Sequence, residues 1–184
     1  MPLVDDLHQP LRLAGLTRES VVDGPGLRAV VFVQGCPHRC PGCHNPGTWP
    51  MDGGYETTAA AVWEEIKDSK LLRGVTFSGG EPFAQAGPLA ALAELIKVRG
   101  WDLMIYTGYT WEDLRARCGQ DDAISRLLAA ADILADGPYI EAQKDLSLPF
   151  RGSRNQRLLD LPRSEAAGAP VLWEPRWRHL TSYD

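Results

Sequence analysis

RAVVFVQGCPHRCPGCHNPG, Arg28–Gly47, changes character within twenty residues. Its first part, Arg28–Gln34, is rich in β-branched and aromatic residues and reads as a strand ending at Gly35. The remainder carries Cys36, Cys40 and Cys43 in the spacing C-x3-C-x2-C. On a helix those three positions would share a face, but Pro37, Pro41, Gly42 and Pro46 oppose a continuous helix. The segment is therefore a loop at the end of a strand. Such a loop can wrap three thiolates around one inorganic centre and leave a side uncovered.

Outward from this stretch, strand-like and helix-like segments alternate. Thr57–Ser69 reads as a helix with Val62, Trp63 and Ile66 on one face, and Gly74–Ser78 as a second strand. Gly87–Arg99 follows as a helix, with Leu89, Leu92 and Ile96 at helical spacing, and Asp102–Tyr106 as a third strand. Thr110 opens a short helix through a Thr-x-x-Asp cap ending at Asp113. Asp121–Ala131 is helical and Ile133–Ala135 a fourth strand. This order implies parallel strands joined by crossover helices.

After Asp136, Pro138, Pro149, Pro162, Pro170 and Pro175 break the chain into extended pieces, of which Leu158–Leu161 and Val171–Trp173 read as short strands. No repeat, low-complexity tract or linker divides the sequence. Residues 1–184 are expected to form a single domain, with a core over about 20–161 and an irregular tail over 162–184. Four clear β/α units and a weaker fifth are too few for a closed barrel of ~250 residues. The expected fold class is α/β, an incomplete β/α barrel or open sheet with parallel strands. In either, ligands gather at the carboxyl ends of the strands.

A net charge of −5 gives no electrostatic case for nucleic acid or a membrane surface as partner. The opening MPLVDDLHQPLRL has acids where a secretion signal needs basic residues, and no stretch approaches the ~20 apolar residues that cross a bilayer. A cytoplasmic location is expected. Three of the four cysteines fall within eight residues, which in a reducing compartment points to a metal site rather than to disulfides. Cys118 shares a helical face with Leu114 and Trp111 and reads as a small core residue.

Three thiolates suit a 4Fe–4S cluster with one iron left free, since electron-transfer clusters usually take four cysteines. Zinc is the rival, with His38 or His44 completing a Cys3His set. Taken singly, His38 reads as a polar loop residue. The second strand ends in SGGEP, Ser78–Pro82, where two glycines allow close approach to the backbone, their amides can bind a ligand edge, and Glu81 offers an anion to an ammonium group. A tight turn would also explain it. Asp23-Gly24-Pro25-Gly26 reads either as a turn or as a functional element. Arg151, Arg154 and Arg157 read either as a solvated run or as a phosphate, cofactor or partner contact.

The pairing of C-x3-C-x2-C with GGEP resembles the radical S-adenosylmethionine superfamily. VDGPGLRAVVFVQGC (22–36) is similar to the opening strand of the enzymes that activate glycyl radical enzymes. GCHNPGTW (42–49), TGYTWEDL (107–114), ADGPY (135–139) and RGSRNQR (151–157) resemble the branch that activates anaerobic ribonucleoside-triphosphate reductase, the element GS-x-NQR being the most discriminating.

The resemblance implies that Cys36, Cys40 and Cys43 hold a 4Fe–4S cluster whose free iron is chelated by S-adenosyl-L-methionine. It implies that Gly79, Gly80 and Glu81 meet the methionine amino end and that Gly42 and His44 border the adenine. Thr107, Gly108 and Asp136 are the further implied cofactor contacts. The superfamily often has an aromatic residue where Gly42 stands.

The implied reaction is reductive cleavage of the sulfonium to a 5′-deoxyadenosyl radical, which takes a hydrogen atom from a partner's glycine. No side chain need act as acid or base. The implied partners are the large subunit of anaerobic ribonucleotide reductase and a one-electron donor such as flavodoxin. Alternatives are an activase of another glycyl radical enzyme of the formate-lyase type, a radical enzyme acting on a small molecule, and a zinc-stabilised interaction module.

Overall fold

Residues 28–33 are buried on both faces save one partly exposed position, the mark of a central strand in a parallel sheet. The structure is a computed structural model that describes residues 4–175; the expected domain's ends, 1–3 and 176–184, lie outside the described residues. In chain order its elements are α1 (Val4–Leu7), β1 (Pro10–Ser20), β2 (Arg28–Val33), β3 (Tyr55–Thr58), α2 (Ala59–Ile66), β4 (Gly74–Gly79), α3 (Ala86–Val98), β5 (Asp102–Tyr106), α4 (Trp111–Cys118), α5 (Asp122–Ala130), β6 (Ile133–Asp136), β7 (Arg157–Asp160) and α6 (Leu161–Ala167). The strands form one open sheet in the order β3-β1-β2-β4-β5-β6-β7. β2, β4, β5 and β6 are mutually parallel, as the β/α alternation predicts.

The outer strands add antiparallel pairs to this parallel centre. β1 runs antiparallel to both β2 and β3, and β7 antiparallel to β6. The chain is thus a single α/β domain with a mixed, unclosed sheet. β1 escapes sequence reading because register shifts at Leu13/Gly15 and Thr17/Ser20 break its alternation, although Leu11 and Leu13 are fully buried. β3 takes the residues expected to open the second element, and Thr58 instead caps α2 by accepting from Ala61 N.

The core also extends past Leu161. Pro162 reads as a breaker, yet it sits in the first turn of α6, where its missing N–H costs nothing, and Asp160 caps that turn. Regular structure is therefore present on both sides of residues 20–161. Val171–Trp173 is not a strand: Leu172 makes an isolated bridge to Leu159, and Trp173 N donates to Leu158 O.

Alternation along the strands divides the sheet into two faces. Ala29, Val31, Val33, Val75, Phe77, Leu103, Ile105 and Leu134 pack against the helices in the main core. Met104, Ile133, Ala135 and Leu158 form a smaller cluster on the other face, with Tyr106, Phe150 and Trp173 against it.

At the amino ends of the strands the second face is sealed by Arg28, whose side chain is fully buried. Its Nε donates to Thr76 Oγ1 (2.7 Å), Nη1 to Asp102 Oδ1 (2.5 Å) and Pro25 O (3.1 Å), and Nη2 to Val75 O (2.7 Å). Thr76 in turn donates to Asp23 O. Asp23–Gly26 is thus the turn reading of that motif, clamped onto the sheet, with Gly24 at φ +142 directly over Arg28 Cδ. Burial lowers the Arg28 pKa and the Asp102 carboxylate opposes the shift.

Arg28→Ala leaves a void beside Thr76 and Val75 O and reduces Asp102 to its longer pairing with Arg73 (3.3 Å), and should cost about 3 kcal/mol in urea denaturation. A midpoint equal to wild type would show that the guanidinium is dispensable.

Candidate metal centre

The parallel strands β2, β4 and β5 end side by side, and each is followed by a segment singled out from the sequence. Cys36, Cys40, Gly42, Cys43 and His44 follow β2, the Gly79-Gly80-Glu81 turn closes β4, and Thr107-Gly108 follows β5. The first two segments cross at van der Waals distance. Gly80 N donates to Val33 O and Glu81 N to Gly35 O, both at 2.8 Å. A Cβ on Gly80 would collide with the Gly35 carbonyl, and Gly79 adopts φ +89. The glycines therefore serve the crossing of two chain segments, and the Gly80 amide, one of the two glycine amides expected to meet a ligand, already donates within the protein, as does Glu81 N.

Glu81 is fully buried. Its Oε1 accepts from Phe83 N (3.0 Å) and Thr107 Oγ1 (2.9 Å), and its Oε2 from Gly108 N (2.9 Å) and His38 Nε2 (2.9 Å). The sequence reading offers this carboxylate to a ligand's ammonium group. In the structure it is the internal link among the three strand ends. Thr107 is likewise buried, its hydroxyl donating to Glu81 and accepting from Tyr109 N.

Asp136 does not join this group. Alternation places it on the helix side of β6, where Oδ2 accepts from Trp111 N (2.8 Å) and Arg157 pairs with both its oxygens. In the structure the Asp136 side chain anchors α4 to β6. Arg157 also reaches Glu112, and the two acids raise its pKa. Among the three arginines, Arg151 donates to Gln156 O, while Arg154 is exposed with a distant pairing to Asp145.

The cysteines themselves form no disulfide and are partly exposed. The His38 and Arg39 amides are directed at the Cys36 sulfur, and Asn45 N donates to Cys43 Sγ (3.4 Å). Burial raises the Cys36 pKa against those amides. Three free thiols with N–H groups on two of the sulfurs are a donor set that fits an iron–sulfur cluster. Among the described residues, no three or more His, Cys, Asp or Glu close around a single ion. Neither histidine completes a zinc set here, because His38 faces Glu81 and His44 lies against the Tyr139 ring (5.5 Å). A cuboidal cluster differs in that each thiolate takes a separate iron.

Residues invisible to sequence reasoning complete the site. A Cβ on Gly42, at φ +74, would lie 2.8 Å from the Glu141 carboxylate, so the space of the aromatic residue common in the superfamily is taken by the segment after β6. Gln34, buried, donates to Gly47 O (3.1 Å) and Pro50 O (2.7 Å) and closes the far end of the cysteine loop. Cys118 packs partly buried against the helix-side core.

Residues 22–159 match the family model described as a 4Fe-4S single cluster domain. Fold and loop together define the class, an α/β iron–sulfur domain built for one cluster. The anaerobic ribonucleoside-triphosphate reductase-activating protein of Vibrio cholerae is 38% identical over 144 residues, covering 74% of this chain and 89% of that relative. The protein of the same name from Escherichia coli (strain K12) is 34% identical, covering 74% and 90%. That from Enterobacteria phage T4 is 34% identical, covering 74% and 86%. The chain belongs to the family of anaerobic ribonucleoside-triphosphate reductase-activating proteins. A looser likeness, to QueE from Escherichia coli (TM-score 0.43, 20% identity, 57% of this chain and 56% of that one), carries no further weight.

Arg157→Ala should cost about 3 kcal/mol at pH 7, because it leaves Asp136 buried without a cation. Arg157 also holds the Glu112 carboxyl below its ordinary value of 4.5. That part of the stability is complete above 4.5 and is lost as pH falls through the depressed value. Glu112 is half exposed, so this part is small. Denaturation of both proteins from pH 7 to 3 should show the gap narrowing.

Proposed function

We propose that this chain is a radical S-adenosylmethionine activase that generates the glycyl radical of anaerobic ribonucleoside-triphosphate reductase. The observation that carries the reading is a loop of three free thiols at the carboxyl ends of the central parallel strands, where ligands of such sheets bind. In it, Cys36, Cys40 and Cys43 hold a 4Fe–4S cluster. When bound, the cluster and S-adenosylmethionine supply reductive cleavage of a sulfonium and removal of a hydrogen atom from glycine.

This chain's own residues supply placement. Gly79 and Gly80 let the turn after β4 lie against the base of the cysteine loop, so a ligand there meets backbone and not the buried Glu81 carboxylate. Gly42 and His44 stand exposed on the outer rim, beside Glu141 and Tyr139. Arg28 closes the amino end of the sheet's second face, which favours entry from the carboxyl end.

The partner in this reading is the large subunit of the reductase, with a flavodoxin-type protein as electron donor. Two exposed apolar side chains support a protein partner at this rim: Met51, whose sulfur lies against Gly35, and Ile140, between the two residues that touch the loop. Among the described residues no helix is long and apolar enough to cross a membrane.

Anaerobic incubation with reductase, S-adenosylmethionine and a reductant should yield a glycyl radical doublet by electron paramagnetic resonance. A doublet on a formate-lyase-type partner alone, or colourless protein with one tight zinc, would overturn the assignment. Replacing Cys36, Cys40 or Cys43 by Ala should abolish cleavage of S-adenosylmethionine, whereas Cys118→Ala should retain iron and cleavage.

A further inference from the structure

Between Cys36 and Cys43 the chain has little to hold it. Arg39 sits at φ +47, and the Cys43 amide turns back to Cys40 O. Cys36 N reaches Trp49 O at one end of the segment. Among the described residues, the side chain of His38 supplies the hydrogen bond by which residues 37–42 reach another element. It stands two residues from Cys36 and two from Cys40.

The seat of that ring is closely fitted. Nε2 lies 2.9 Å from Glu81 Oε2, and because a carboxylate only accepts, the shared proton belongs to the imidazole. The ring meets Tyr109 edge-on, with centroids 4.4 Å apart, and the Arg117 guanidinium covers Tyr109 at 4.0 Å. Gly108 forms the floor: a Cβ there would drive into the ring, 2.7 Å from both Cγ and Nε2. Glu81 cannot drift away, since Phe83 N, Gly108 N and the Thr107 hydroxyl hold it from the other sides.

We propose that His38 is the positioning residue of the cysteine loop, its bond to the buried Glu81 setting Cys36 and Cys40 in place before any cluster is bound. This rests on the reading of the loop as the cluster's holder. On it, Glu81 acts on the cluster through His38 rather than on a ligand's amine. The bond donates to a buried charge, the strong class of protein hydrogen bond, so its loss should be felt throughout a loop with so few other ties.

The test is amide hydrogen exchange on the cluster-free protein under anaerobic, reducing conditions, with iron uptake during reconstitution as second readout. His38→Ala should speed exchange in the cysteine loop about tenfold or more, slow iron uptake, and leave exchange in α3 and α5 unchanged. His38→Gln, whose Nε2 can reach the same carboxylate oxygen, should restore both readouts most of the way. Gly108→Ala attacks the same seat from β5 and should loosen the same loop.

Wild-type exchange in His38→Ala, or a Gln variant no better than Ala, would overturn the proposal. If the protein makes no glycyl radical while His38→Ala still loosens the loop, the activase reading fails and the seat stands.

Discussion

A carboxylate with no exposure to water needs donors on every side, and Glu81 takes them from three strand ends at once. The constraint acts on the neighbours more than on Glu81. Thr107 must present a hydroxyl, Gly108 must lack a side chain, and the loop after β2 must send an imidazole inward. Gly80 must lie against Gly35 so that the turn carrying Glu81 can pass beneath the cysteine loop. Satisfied in this way, the network fixes the mutual positions of three segments that share no other regular structure at that end of the sheet.

The same economy operates at two further places. Arg28 ties β2 to β4, β5 and the Asp23–Gly26 turn, and Arg157 ties β6 and β7 to α4 through Asp136 and Glu112. In each, charged side chains of sequence motifs hold strand ends together. An open sheet explains this need. It lacks the closure by which a full barrel fixes its strands, so polar ties across adjacent strand ends do that work.

The central β/α units were legible because parallel strands are continuous apolar runs and the intervening helices carry clear caps, as at Thr110 with Asp113. The antiparallel flanks were not. β1 hides behind two register shifts, and α6 behind a proline that is harmless at a helix start. At the site, the cysteine spacing and the glycines pointed to segments that the structure brings together at the carboxyl ends of β2 and β4. Their roles were less visible, because a motif states which residues are present and not which way they face. His38 reads as a polar loop residue until Glu81 is seen to be buried, and nothing in the sequence places Glu141 against Gly42.

The cysteine loop is consequently held unequally on its two sides. Towards β5 it is anchored by His38 among buried or half-buried groups, where geometry is set by packing. Towards the segment after β6 it is bordered by Gly42 and His44, both exposed, against Glu141 and Tyr139. A side that must keep sulfur positions fixed benefits from the first arrangement, and a side that must admit and release a ligand from the second. Left-handed backbone at Gly42 serves that open side. With φ +74 and no Cβ, the chain turns between Cys40 and Cys43 while lying directly against the Glu141 carboxylate.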